Sequence, residues 1–151
     1  MNGRRALAAA GVLAVFVGAA TAADVALRAR AACRQGERWL DFAAHPEKRR
    51  ALLDARLTAR LNELDKERAD GRLDADEFSR ASGLARFERD RDAAADAPER
   101  AYVWFESAAD LFSPPQTRWS ARGRAGMAQA RELWRRERRA RGLPVEDYRL
   151  Q

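Results

Sequence analysis

Histidine and cysteine occur once each in this 151-residue chain, at His45 and Cys33, and lysine only twice, at Lys48 and Lys66. One imidazole and one thiol exclude a His/Cys zinc site, a haem-attachment motif, a redox pair and any disulfide within the chain. A nucleophile elbow and a glycine-rich phosphate loop are also missing, and no second imidazole is present to serve as base for a serine. Catalysis, a cofactor, a metal and a small-molecule substrate are therefore not expected. With 5 Pro and 9 Gly the chain is not low in complexity either, and 46% hydrophobic and 34% charged residues are the proportions of one ordinary folded unit.

What is abundant is arginine. The 27 Arg, together with the many Ala, point to a GC-rich bacterial genome. The net charge of +6 is unevenly placed: residues 113–151 hold 10 Arg against 4 acids, whereas residues 24–112 hold 17 basic and 19 acidic side chains. The basicity lies at the C-terminus.

After Arg4 and Arg5 no charge occurs for 18 residues, 6–23. As a helix this run covers about 27 Å, just short of the roughly 30 Å of a hydrocarbon core. A basic pair, an apolar stretch and the small-residue motif Ala20-Thr21-Ala22 are also the three parts of a secretory signal, cut before Ala23. Residues 1–23 thus read as a signal peptide or a membrane anchor, and the protein as one of the bacterial envelope, single-pass in the inner membrane or periplasmic after cleavage. Arg28, Arg30, Arg34 and Arg38 outnumber the two Arg before the run, so a retained anchor favours a cytoplasmic body. Val25, Ala29, Ala32, Cys33, Gly36 and Leu40 continue an apolar stripe, which lets the membrane helix extend to about residue 42. Arg30 stands where a lipobox needs an apolar residue, so Cys33 reads as a small residue on a helix face; in an oxidising compartment a lone thiol can also link two copies.

Apolar spacing is helical throughout, which makes the fold class all-α: an N-terminal hydrophobic helix, then a small bundle containing a helical hairpin and a long basic C-terminal helix. The hairpin occupies residues 45–92. Pro46 opens its first arm, with Leu53, Leu57, Leu61 and Leu64 as the buried stripe, and His45 is a residue at a helix start. Gly71 supplies a left-handed turn, Asp74 and Glu77 a capping box, and Leu73 and Phe78 a hydrophobic staple. The second arm is expected to bury Phe78, Ala81 and Ala85, with Leu84 and Phe87 as further candidates. The stretch from Asp70 to Phe78 also matches the second half of a calcium loop, but its first and third ligand places fall on Lys66 and Arg68, which repel Ca²⁺. A degenerate calcium binder is the third functional reading.

The residues Arg60-Leu61-Asn62-Glu63-Leu64, Arg68-Ala69-Asp70-Gly71-Arg72-Leu73-Asp74 and Glu77-Phe78 resemble the short helical hairpin near the membrane segment of the cytochrome c maturation proteins of the CcmI type, and small two-helix modules of other bacterial membrane proteins. The resemblance covers residues 60–87 at most, and the second membrane span and helical repeats of that family have no counterpart. It implies a membrane-associated scaffold and transfers no functional residue.

Residues 98–142 read as an aromatic helix and a basic amphipathic one, with 143–151 as a tail. In the first, Tyr102, Phe105, Ala109 and Phe112 share a side that Trp104, Ala108 and Leu111 broaden, as in a helix packed against more than one neighbour. In the second, for which Ser113 is a candidate cap and Gly142 and Pro144 the stop, Trp119, Gly123, Gly126, Met127, Ala130, Leu133 and Trp134 share an arc of about 120°. Arg124, Arg131, Arg135, Arg138 and Arg139 flank it, and the glycines let another helix come close. Trp104, Trp119, Met127, Trp134, Arg131, Arg135, Arg138 and Arg139 are the candidate contacts to a partner or to lipid. The expectation is a non-catalytic accessory or assembly subunit of a membrane-associated complex with a protein partner. The alternative is a peripheral module that binds anionic lipid or another polyanion through the basic helix, nucleic acid not being expected.

Overall fold

In the computed structural model every element is helical among the described residues, which are 2–113 and 115–144, with side chains described from residue 11 onward except 12 and 14. The elements are α1 (Asn2–Ala44), α2 (Pro46–Ala69), α3 (Ala75–Ala94), α4 (Ala97–Glu106), a π-helical segment (Ser107–Leu111) and α5 (Arg118–Ala140). They form two units: Met1–Leu40 with Pro98–Gln151, and Asp41–Ala97. The all-α class holds. The hydrophobic segment expected at 6–23 lies partly outside the described side chains, and among the described residues no helix is long and apolar enough to cross a membrane. Residues 145–151 of the expected tail also lie outside the description.

In the first unit, α1 meets α4 and α5 along the stripe Ala29, Ala32, Cys33 and Gly36, all buried. That stripe, expected to prolong a membrane helix, is the seam of the bundle: Ala32 and Cys33 cluster with Ala108, and Phe112 and Trp119 pack against them. A second cluster joins Ala101, Tyr102, Phe105, Ala130 and Trp134, flanked by Trp39, Leu40, Val103 and Met127. Small residues line the seam because three helices approach one aromatic ring. A Cβ built on Gly36 would stand 2.8 Å from the Phe105 ring, and one on Gly126 2.5 Å from it. A Cβ on Gly123 would stand 3.0 Å from the Phe105 carbonyl oxygen and the Ala109 amide nitrogen.

The aromatic helix does not run uniformly to residue 112. After Glu106 it widens into the π segment, where the Ser107 hydroxyl donates to the Val103 carbonyl (2.8 Å) and the Phe112 amide donates to the Ser107 carbonyl. Ala108 and Ala109 are both buried, at 0% and 1% exposure. Helix α5 starts later than Ser113 suggests. Thr117 is its cap, accepting from the Trp119 and Ser120 amides while the Ser120 hydroxyl accepts from the Thr117 amide; this reciprocal pair satisfies amides that Ser113, separated by two prolines, cannot reach.

The second unit is the hairpin of α2 and α3. Its turn is a Schellman motif, with Gly71 at φ +72°, the Gly71 amide donating to the Arg68 carbonyl and the Arg72 amide to that of Glu67. The capping box forms as expected: Asp74 Oδ1 accepts the Glu77 amide at 2.7 Å, and Glu77 Oε2 accepts the Asp74 amide at 3.0 Å. Leu53 and Leu64 are buried, and Leu57, Leu61, Phe78, Ala81 and Ala85 half-buried. Leu84 and Phe87 are not in this core; they are 57% and 63% exposed, because Ser82 occupies the buried face of α3 instead. The open end is closed by Arg49, whose buried guanidinium donates to the carbonyls of Ala95 (2.8 Å) and Asp92 in the last turn of α3. Arg89 on α3 reaches Asp54 on α2 at 2.6 Å.

Candidate functional site

The candidate contact residues of the C-terminal half separate by burial. Trp134 is 1% exposed and stacked obliquely 6.1 Å from Tyr102. It is core and offers no surface to a partner or lipid, because the apolar arc of α5 turns inward onto α4. Met127 is half-buried against the same cluster. Arg131 lies over the Tyr102 ring and donates to its hydroxyl at 3.2 Å. Arg138 lies 5.9 Å from the Trp134 centroid, and its Nε donates to the Pro144 carbonyl at 2.8 Å. These two arginines lay their guanidinia over core aromatics. Arg135 is half-buried and Arg139 exposed. Trp104 is 39% exposed on the outer side of α4, and Leu111 in the π segment is 73% exposed. A basic helix lying on lipid with Trp119 and Trp134 both in the interface is therefore not the arrangement found.

Trp119 differs from Trp134. Its half-buried ring gathers three guanidinia: Arg118 at 4.9 Å from the centroid, Arg30 of α1 at 5.6 Å and Arg122 at 6.0 Å. Arg122 also pairs with Glu37 at 2.5 Å. Arg30 Nε is buried without a hydrogen-bond partner among the described residues. Beside this cluster the Cys33 thiol is 0% exposed and donates to the Trp119 carbonyl at 3.1 Å. Burial, reinforced by the nearby Glu37 carboxylate, raises its pKa. A fully covered, protonated thiol is not placed to join two copies in this fold. Sequence reasoning missed Arg30, Arg118 and Arg122. The i, i+4 spacing of Arg118 and Arg122 around Trp119 was the available signal, whereas Arg30 lies far off in the chain.

The N-terminal part of α1 has the other notable surface. Every described side chain at positions 13–21 is exposed, with Leu13 at 63%, Val15 at 73%, Phe16 at 71% and Val17 at 54%. At 100° per residue these four spread over an arc of about 200°, more than half of the helix circumference.

In the hairpin, the carboxylates of Asp74 and Glu77 are taken by backbone amides, and no group of three or more potential metal ligands occurs among the described residues. His45 Nδ1 lies 2.9 Å from Asp41 Oδ1. The hydrogen bond from Lys48, with the charges of Lys48 and His45, lowers the Asp41 pKa. The pair stands in solvent at a helix junction. No family model matches the chain, and no curated protein or solved structure is similar to it.

Proposed function

We propose that this chain is a non-catalytic envelope protein, an accessory or assembly subunit of a membrane-associated complex, held in the inner membrane by the first part of α1. One observation carries the reading: Leu13, Val15, Phe16 and Val17 are exposed over more than half the circumference of a helix whose later residues are packed into a bundle. A helix that leaves so broad an apolar arc bare needs lipid or protein about it. The uncharged run of 18 residues has the length for lipid. The Arg28, Arg30, Arg34 and Arg38 that follow favour a body on the cytoplasmic side. Trp104 and Leu111 are the aromatic and aliphatic surface offered to a protein partner.

The test is fractionation of bacteria expressing the full chain, followed by intact mass measurement. The chain is expected to stay with membranes through alkaline carbonate and to keep the mass of all 151 residues. Release into the soluble fraction, or a product beginning at Ala23, overturns anchoring.

A further inference from the structure

The guanidinia of Arg30, Arg118 and Arg122 converge on one indole ring, and among the described residues only Arg122 of the three has a carboxylate, that of Glu37. Neither Arg30 nor Arg118 makes an ion pair among the described residues. Three like charges brought round one ring repel one another, and Glu37 offsets only one of them. Cation–π attraction to Trp119 holds each guanidinium in place, and among the described residues it leaves the N–H groups of Arg30 and Arg118 without a carboxylate. Forked donors in this disposition suit the oxygens of a phosphate.

The position along α1 says where such a phosphate comes from. Arg30 lies seven residues beyond Ala23, the last of the uncharged run, which is about 10 Å along a helix. The polar layer of a bilayer is roughly 5–8 Å deep on each side. Arginine stems reach back toward the interface, and Trp prefers that level. Between the run and the cluster, Asp24 is already neutralised by Arg28 at 2.7 Å, so no unpaired acid separates them. The geometry points to a headgroup site at the exit of the membrane helix, in which Arg30, Arg118 and Arg122, spaced around Trp119, bind the phosphate of an anionic phospholipid. This rests on the anchored reading of α1, and it moves the lipid contact from the distal arginines of α5 to its first turns.

Native mass spectrometry of the full chain in neutral detergent, offered equal amounts of phosphatidylglycerol and phosphatidylcholine, tests it. The wild-type chain is expected to retain phosphatidylglycerol with a preference of roughly tenfold or more. Arg118→Glu alone, at an exposed position, and the double variant Arg30→Glu with Arg118→Glu should bring the preference toward unity, while Arg139→Glu leaves it unchanged. Arg118→Glu keeps the proposal testable even where the double variant fails to fold. Equal retention of both lipids by the wild type, or a preference unaltered in Arg118→Glu, overturns the site. Carbonate extraction of the same variants separates the two failures. A chain that stays in membranes without lipid preference loses the headgroup site and keeps the anchor, and one that is extracted loses both.

Discussion

The ring of Phe105 shows how single residues set the bundle. It is 1% exposed and lies between Gly36 of α1 and Gly126 of α5. Alanine is ordinarily the better helix former by about 0.8–1 kcal/mol. Here the added methyl of Gly36→Ala or Gly126→Ala would stand under 3.0 Å from a ring that cannot retreat from one glycine without meeting the other. Each is expected to destabilise by about 1–3 kcal/mol, through overpacking that outweighs propensity. Gly83→Ala on α3, where a Cβ meets nothing within 4 Å, should instead stabilise by roughly 0.5–1 kcal/mol. Urea titration of the three variants checks the sign at each site, and an unchanged or raised midpoint for Gly126→Ala would show that the ring is not held from both sides. The close approach at Gly123 and Gly126 was legible in the sequence, because two small residues on one helical arc have few other uses. That Phe105 fills the gap was not, since Tyr102, Phe105 and Phe112 share a side of the aromatic helix equally well.

At the level of elements, the ends of the helices were the most readable part of the chain. Asp74, Glu77 and Gly71 act on backbone groups within a few residues, and local chemistry decides them. Arg49 gives the opposite lesson. Its carbonyl partners Ala95 and Asp92 are 46 and 43 residues away, and nothing in the pattern around Arg49 distinguishes it from Arg50 beside it. The burial of Ser82 in place of Leu84 and Phe87 is of the same kind, because the apolar residues of α3 do not fall on a single stripe. Arg49→Met keeps most of the stem and removes the donors, leaving carbonyls of the last turn of α3 unpaired. A loss of about 1–3 kcal/mol is expected. It should exceed the loss of about 1 kcal/mol for removing the exposed cap with Asp74→Ala. Hydrogen exchange of the α3 amides reads both, and equal effects would mean that the Arg49 contacts are no more than a surface cap.

At the scale of the whole molecule, the two units differ in what they bury. The first has Trp134, Phe105 and Tyr102 at 3% exposure or less, with alanines and Cys33 filling the seam. Within α2 and α3 the second buries Leu53 and Leu64 as its apolar side chains, alongside the polar Arg49 and Ser82. A two-helix hairpin with so few covered apolar groups falls short of what ordinarily sustains a fold by itself. Its order then depends on terms that are individually small, namely the capping box, the Schellman turn, the Arg89–Asp54 pair and Arg49. Native-state hydrogen exchange in increasing urea should therefore resolve two openings. Amides at 50–66 and 78–92 are expected to exchange through a subglobal opening of lower free energy. Those at 29–38, 101–109 and 120–136 should wait for global unfolding, because they flank the buried aromatics. Merging of all these amides onto one isotherm at low urea would show that the hairpin draws its stability from the aromatic core after all. The same experiment on Gly126→Ala should lower only the global isotherm, since the packing around Phe105 lies wholly in the first unit.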